Sequence, residues 1–359
     1  MTSAVSAPGV RDPATRALLD WLRSLLAGDG ALGSVNDGFA AAAVRCRLAA
    51  LARSHGARHP ELTHAERSDF VRGQQVLLGS ARVLEMLDEA AIPCATLKGP
   101  ALASRFWGDV TMRRSGDIDV LVEPGNFAAA EAVLQTHGCR RVDLYPEWYV
   151  RRWLCNVAFV ADDRALPKVE LHWSFVRPYL GHPRIADVLG SLDRVDCGGR
   201  VLPALEPAWQ LLAVCIHAIF HDIELRSLLD VAFVARALDE EDWSRAIAHA
   251  RAAGLAPGLY YGVQASVRLL GWRAPGVLDE LRPGPARARV AELYLASLSP
   301  FSGVTTGARQ FGKLATPLVS TGPGGLAAAL PFSLVDRPRV LSRLDGAVRR
   351  LARRVVRPL

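Results

Sequence analysis

Residues 92–122 read IPCATLKGPALASRFWGDVTMRRSGDIDVLV, and this stretch decides how the rest of the chain is interpreted. Its first part, Ile92–Leu97, is a short apolar segment that predicts a strand. Lys98 and Gly99 then turn the chain, and Pro100 suits the first turn of a short helix. Backbone N–H groups at this turn and at the helix start would form a place for phosphate.

Two carboxylates stand on the second predicted strand of this stretch. In the segment GDIDVLV, residues 116–122, Asp117 and Asp119 are two positions apart and share one face of the strand. Ile118 and Val120 then face the core. Neighbouring carboxylates repel each other unless cations lie between them, and oxygen ligands of this kind suit Mg²⁺. Two such ions about 4 Å apart can stabilise the attacking and the leaving oxygen of a phosphoryl displacement.

A third carboxylate follows from the same alternation in KVELHW, residues 168–173. Lys168, Glu170 and His172 share one face of this predicted strand. If the strand pairs beside the one that carries the two aspartates, Glu170 can join them as a metal ligand or as a base for an incoming hydroxyl. Lys98 and Lys168, two of the chain's three lysines, flank this set, and each could meet the charge of a triphosphate.

Together these segments resemble the polymerase-beta-type nucleotidyltransferase superfamily. More narrowly, the chain resembles a bacterial family known as uncharacterised nucleotidyltransferases, which are often encoded near genes for natural products and peptide modification. The resemblance covers roughly residues 80–300 in scattered motifs, and the Asp-x-Asp segment is its most specific part. The motifs that carry it are Leu97-Lys98-Gly99, Arg113, Gly116–Val122, Val169–Trp173, His217, His221, Leu228-Leu229-Asp230 and Asp242-Trp243.

The resemblance implies an enzyme that transfers a nucleoside monophosphate from an NTP to an acceptor, with release of pyrophosphate. It implies that Asp117 and Asp119 hold the metal, two Mg²⁺ ions, and that Glu170 completes the triad. The residues expected to bind the nucleotide are Lys98, Gly99, Arg113 and Lys168. A small biosynthetic metabolite is the favoured acceptor, followed by a peptide or protein side chain and then by an RNA end.

One departure from the superfamily pattern keeps a second function open. The superfamily usually has Gly-Gly or Gly-Ser after its first strand, whereas this chain has Gly99-Pro100, which lacks a hydroxyl and an N–H. Lys98 and Arg113 could substitute for these groups. The alternative is a protein of the same fold that binds a nucleotide or another partner and catalyses no reaction. Three correctly phased carboxylates argue against it, because a pure binding protein has no need of that negative charge.

Two histidines mark the helical part that follows. His217 and His221 are four residues apart within one long helical pattern, Pro207–Leu238, and therefore share a face. Three roles remain open for them, namely lining the substrate cleft, binding zinc, or filling the helical core with satisfied hydrogen bonds. Asp230 is expected to pair with Arg226 or with a histidine.

The positive charge of the chain is confined to its end. The chain has 43 basic and 36 acidic residues, a formal charge of +7, and residues 337–359 alone contain eight arginines and one aspartate. The rest is formally neutral, so a basic groove for nucleic acid is not indicated. Residues 339–356 predict a basic amphipathic helix, and docking of its apolar stripe on the protein itself is the favoured interpretation. The alternatives are that this helix binds anionic lipid, RNA or an acidic peptide.

The fold class follows from the order of these patterns. We expect an α+β protein with a helical region at residues 1–90, a small mixed-sheet core at 91–200 and a second helical region at 201–359. Residues 301–326 predict a loop. The six cysteines are scattered without a Cys-x-x-Cys pair, and no run of about 18 apolar residues occurs. No export signal is expected, because Arg11 and Asp12 stand where a secretory segment would need apolar residues. A cytoplasmic protein is expected.

Overall fold

The computed structural model describes residues 12–142, 145–161, 166–178, 180–220, 224–285 and 287–289. The loop expected at 301–326 and the basic helix expected at 339–356 lie outside these residues. Among the described helices, none combines the length and the apolar character that crossing a bilayer requires.

Four helices form the N-terminal region. They are α1 (Pro13–Ala27), α2 (Asp37–Arg45), α3 (Ala49–Ser54) and α4 (Pro60–Glu89). Asp12 and Asn36 cap α1 and α2 because their side chains accept hydrogen bonds from the first free N–H groups of each helix. Gly28 ends α1 in the left-handed conformation, with φ of 97°.

Seven strands form one mixed sheet in the centre of the chain. They are β1 (Cys94–Thr96), β2 (Ile118–Val122), β3 (Cys139–Arg141), β4 (Asn156–Ala161), β5 (Val169–His172), β6 (Asp193–Asp196) and β7 (Val201–Ala204), in the spatial order β3-β4-β5-β2-β1-β7-β6. Strand β2 pairs antiparallel with β1 and parallel with β5. The strand pairing on which the third carboxylate depended is therefore present.

Alternation along β2 separates two cores. Ile118 and Val120 pack with apolar residues of α4, such as Val76 and Leu84. Leu121, on the opposite face, belongs to the core formed with the C-terminal helices. Residues on the Asp119 face of β2 are thus directed towards the C-terminal region.

Helix α4 approaches the sheet closely at one glycine. A Cβ atom built on Gly79 would stand 2.7 Å from Ile118 Cδ1 and 2.9 Å from Pro167 Cδ. Only a residue without a side chain lets α4 lie this near β2.

The connections between strands are short helices. After β1 come α5 (Pro100–Leu102), where the sequence predicts a short helix that begins at Pro100, and a π-helical turn at Ala103–Trp107. The others are α6 (Phe127–Thr136), α7 (Glu147–Trp153) and α8 (Ile185–Gly190).

The sheet extends beyond the boundary expected at residue 200. Strands β6 and β7 form a hairpin whose turn contains Gly198 and Gly199, both with positive φ. Strand β7 pairs parallel with β1 through Thr96 and Ala204, and Thr96 Oγ1 donates a hydrogen bond to the Pro203 carbonyl at 2.9 Å. The sheet therefore includes Val201–Ala204, and each strand of this edge is only four residues long.

The C-terminal region contains α9 (Pro207–Phe220), α10 (Leu225–Ala237), α11 (Glu240–Ala252) and α12 (Ala256–Leu270). The prediction of a single long helix over 207–238 was wrong. It is two helices, α9 and α10, which pack against each other. One continuous helix could not bury both apolar faces in this way.

Candidate active site

A cleft of about 330 Å³ lies where the sheet meets both helical regions. Its walls are mostly charged and polar. Acidic side chains come from β2, β5 and the residue before β2, and basic side chains come from the end of β1, the loop before β2, the turn between α2 and α3, and α10.

Two of the predicted carboxylates are neighbours on adjacent strands. Asp119 of β2 and Glu170 of β5 are register partners. One oxygen of each, together with a ring nitrogen of His172, forms a group whose atoms all lie within 4.8 Å of one another. Asp119 and His172 are both only 7% exposed.

Asp117 faces the same cleft but is joined to the pair through a lysine. Lys168 Nζ lies 3.3 Å from Asp117 Oδ2 and also donates a hydrogen bond to Glu170. The three carboxylates therefore share one wall of the cleft, with the Lys168 ammonium between two of them.

Asp119 is held as a charged carboxylate in spite of its burial. Lys98 Nζ stands 3.5 Å from Asp119 Oδ2, and His172 Nε2 stands 3.0 Å from Asp119 Oδ1. Burial alone would raise the pKa of Asp119, but Lys98 and His172 lower it well below its ordinary value. Burial likewise would lower the pKa of His172, yet its hydrogen bond to Asp119 and its contact with Cys155 raise this pKa to about 9.

Glu170 is oriented by two donors. Asn156 Nδ2 of β4 donates to Glu170 Oε2 at 2.9 Å, and Lys168 donates to Oε1. Burial would lower the pKa of Lys168, and the bonds to Glu170 and Asp117 raise it. Asn156 was not predicted from the sequence, although a polar residue at the start of an apolar strand is a signal for such a role.

Gly99 and Lys98 occupy the end of β1 as expected. Gly99 has φ of 69° and ψ of −136°, a conformation that residues with a side chain rarely adopt. Gln210 Nε2 of α9 donates to the Leu97 carbonyl at 2.9 Å and fixes the end of this strand. The turn therefore owes its shape both to its glycine and to the C-terminal region.

Arg113 lines the cleft but is largely committed to another contact. Its Nε and Nη2 atoms donate to the two carboxylate oxygens of Asp230 at 2.6 and 2.8 Å, and Nη1 donates to Ser115 at 3.1 Å. Trp107 Nε1 donates to the same Asp230 at 3.0 Å. Burial would lower the pKa of Arg113, and Asp230 raises it.

The prediction that Asp230 pairs with Arg226 or a histidine was therefore wrong. Neither Arg226 nor a histidine bonds its carboxylate among the contacts of the described residues; Arg113 and Trp107 do. The reason is tertiary, because α10 packs against the π-helical turn and turns Asp230 towards it.

His217 lies in the cleft, as one of the open alternatives expected. Its Nδ1 atom is 3.3 Å from Lys98 Nζ. His221 lies outside the described residues. Because the zinc alternative needs both histidines, it stays a prediction.

Two further arginines, which were not predicted from the sequence as site residues, also line the cleft. Arg47 comes from the turn between α2 and α3, and Arg226 comes from α10. Both are distant in sequence from the Asp-x-Asp segment, so no local pattern could have linked them to it.

Residues 39–271 match the family described as uncharacterised nucleotidyltransferase. The chain belongs to this family. The enzyme class indicated by the Asp-x-Asp segment and the later motifs is thereby confirmed: the protein is a nucleotidyltransferase. No curated protein sequence matches it.

Among solved structures, this nucleotidyltransferase is similar to the antibiotic-resistance factor ANT(2'')-Ia, whose solution structure is described as showing substrate-regulated conformation dynamics. The two share 18% sequence identity with a TM-score of 0.36, over 49% of this chain and 91% of the other. A likeness at this level says nothing about the substrates of the present enzyme.

Proposed function

We propose that this nucleotidyltransferase moves a nucleoside monophosphate from a Mg²⁺-bound NTP to a hydroxyl group of a small biosynthetic metabolite, with pyrophosphate leaving. The observation that carries the proposal is the pairing of Asp119 with Glu170 on parallel strands, with Asp117 on the same wall of the cleft. Carboxylates gathered in this way are stable only beside positive charge, and the reaction needs positive charge at the transferred phosphoryl group.

The donor set fits a divalent cation. Asp119 and Glu170 offer carboxylate oxygens close enough to share one ion, and Asp117 adds a further carboxylate in the same cleft. These residues would hold Mg²⁺, which when bound supplies charge neutralisation and orientation for the phosphoryl group. Because His172 is hydrogen-bonded to Asp119, its role is to orient that carboxylate.

The remaining groups bind and orient the substrates. Lys98 and the Gly99 turn would receive the phosphates, with the Lys98 ammonium as a point charge. Lys168 would neutralise charge between Asp117 and Glu170. Glu170, oriented by Asn156, would accept the proton of the acceptor hydroxyl as that oxygen bonds to the α-phosphorus and the bond to pyrophosphate breaks.

A binding protein without turnover is the second candidate. The observation that favours it is Pro100, which leaves the first position of α5 without an N–H where the phosphates would lie. The ammonium groups of Lys98 and Lys168 already compensate the carboxylates, so the cleft does not itself demand an ion.

The test compares substitutions that remove charge but keep size. The wild type, Asp119→Asn and Glu170→Gln would be incubated with α-labelled NTPs, Mg²⁺ and hydroxylated metabolites, and labelled acceptor and pyrophosphate would be measured. Turnover should fall at least about a hundredfold in both variants, the scale of losing one charge-stabilising group. Asp88→Asn, an exposed aspartate on α4, is the matched control and should be fully active.

Two outcomes decide between the candidates. Full activity of Asp119→Asn would refute the proposed site. Binding of Mg·NTP to the wild type by calorimetry, with no labelled product from any acceptor class, would favour the binding protein.

A further inference from the structure

The cleft contains more positive charge than the proposed reaction uses. Arg113 is neutralised by Asp230, and Lys98 and Lys168 contact the carboxylates. Arg47 and Arg226 also line the cleft, and they come from the N-terminal and the C-terminal helical region respectively. Burial raises the pKa of the Asp69 carboxyl on α4, and this buried residue lies near enough to both arginines for them to lower that pKa.

One donor of the Arg226 side chain has no partner among the residues that the structure describes. Its side chain is 12% exposed, and its buried Nε atom has no hydrogen-bond partner among the described residues. Nη1 donates to the Arg114 carbonyl, and Nη2 lies 3.5 Å from the half-exposed Glu224 carboxylate. Burial and the nearby Arg113 lower the pKa of Arg226 to about 10 in spite of Asp230 and Glu224. An anion beside this guanidinium would offset its repulsion from Arg113 and Arg47.

Arg47 adds a second guanidinium to the same region. It stands in the turn between α2 and α3 with φ of 60°, and its N–H donates to the Val44 carbonyl at 2.9 Å. Its side chain is exposed and lines the cleft, and among the acidic groups of the described residues it interacts electrostatically with Asp69. Arg47 is close enough to Arg226 to contribute to the lowering of its pKa.

The contacts of Arg226 differ from those of the lysine at the end of β1. Lys98 contacts Asp119 and His217, whereas Arg226 contacts the Arg114 carbonyl and Glu224, and the two sets share no residue. If the phosphates of the nucleotide lie at Lys98 and Gly99, Arg47 and Arg226 can contact a different negatively charged group.

We propose that Arg47 and Arg226 bind a phosphate or carboxylate group of the acceptor, so that the metabolite that receives the nucleoside monophosphate is itself an anion. The inference rests on the proposed function, which assigns the nucleotide phosphates to Lys98 and the Gly99 turn. It gives the N-terminal helices a direct part in choosing the acceptor, because Arg47 is supplied by them.

The experiment uses small anions as probes. Inorganic phosphate, and in a second arm acetate, would be titrated by calorimetry into the full chain saturated with Mg²⁺ and α,β-methylene ATP. At least one anion should bind together with the nucleotide. Arg226→Gln and Arg47→Asn should each weaken anion binding about tenfold or more, the loss expected for one charged hydrogen bond, while nucleotide affinity stays within about twofold. The preferred arm identifies phosphate or carboxylate as the anionic group.

The variants are chosen so that an effect on folding can be told apart from a loss of anion binding. Asparagine tolerates the left-handed conformation at position 47, so a loss there reports the missing charge rather than a distorted turn. Arg226→Lys keeps the charge and should retain more anion binding than Arg226→Gln. Arg82→Gln, an exposed arginine on α4, should leave both affinities unchanged.

Three results would overturn the inference. They are competition between the anion and the nucleotide, absence of anion binding by the wild type at millimolar concentrations, and unchanged anion affinity in both arginine variants. If instead the nucleotide fails to bind, the proposed function fails, and the anion titration without nucleotide still tests Arg47 and Arg226.

Discussion

Arg113 and Asp230 form a buried two-pronged ion pair, with N–O distances of 2.6 and 2.8 Å, that joins the loop before β2 to α10. The loop continues through Ser115 and Gly116 to Asp117. The position of a cleft carboxylate is therefore tied to a helix more than a hundred residues later. The ion pair holds the loop before β2 in one place, and this loop carries Asp117 into the cleft.

Removing one side of this pair should destabilise the fold. Arg113→Met leaves the Asp230 carboxylate, 1% exposed, buried without its cation, and the free energy of unfolding should fall by about 3–5 kcal/mol. Arg105→Met breaks the more exposed pair with Asp193 and should cost less than about 1 kcal/mol. Urea unfolding of both variants measures the difference. Equal, small losses would show that Arg113 is not a structural residue.

Lys98 should matter for the binding of the nucleotide. Lys98→Met keeps the aliphatic stem and removes the ammonium, so the free energy of Mg·NTP binding should weaken by about 1–3 kcal/mol, the range of a charged hydrogen bond. Lys98→Arg keeps the charge and should retain part of the affinity. Calorimetric titration with NTP measures the effect, and an unchanged dissociation constant in Lys98→Met would contradict the assignment.

The contact between His172 and Asp119 predicts a pH dependence of stability in the metal-free protein. The pKa of His172 is about 9 in the fold against an ordinary value of 6.5. Because the folded pKa is the higher one, the stabilisation is complete below about pH 6.5 and is lost as the pH rises through about 9. Melting temperatures in chelator should fall over this range in the wild type and less in His172→Gln. Parallel pH profiles would exclude a charged His172.

Close packing of α4 on the sheet gives a prediction with an internal control. Gly79→Ala places a methyl group 2.7 Å from Ile118 Cδ1, so the helix must shift and stability should fall by about 1–3 kcal/mol. Gly73→Ala, on the same helix, meets nothing nearer than 3.5 Å and should be neutral or stabilising, since alanine favours helix. Thermal melting compares the two. Equal effects would mean that α4 is not fixed by contact with β2.

The sequence by itself determined the local elements and the chemistry of their faces. Alternation in the Asp-x-Asp segment and in residues 168–173 was enough to set Asp117, Asp119 and Glu170 on one side of two strands, because strand periodicity depends only on neighbouring residues. The short helix after Gly99 followed from Pro100 in the same way. These features require no knowledge of what packs against them.

Only the tertiary structure decided which distant residues meet. Arg47, Arg226 and Asn156 reach the cleft from three separate elements, and Asp230 bonds Arg113 rather than a neighbour on its own helix. The division of the long helical pattern into α9 and α10 has the same origin, since its apolar residues fit one helix or two until their partners are known. Such contacts depend on packing across many intervening residues, and local periodicity carries no information about them.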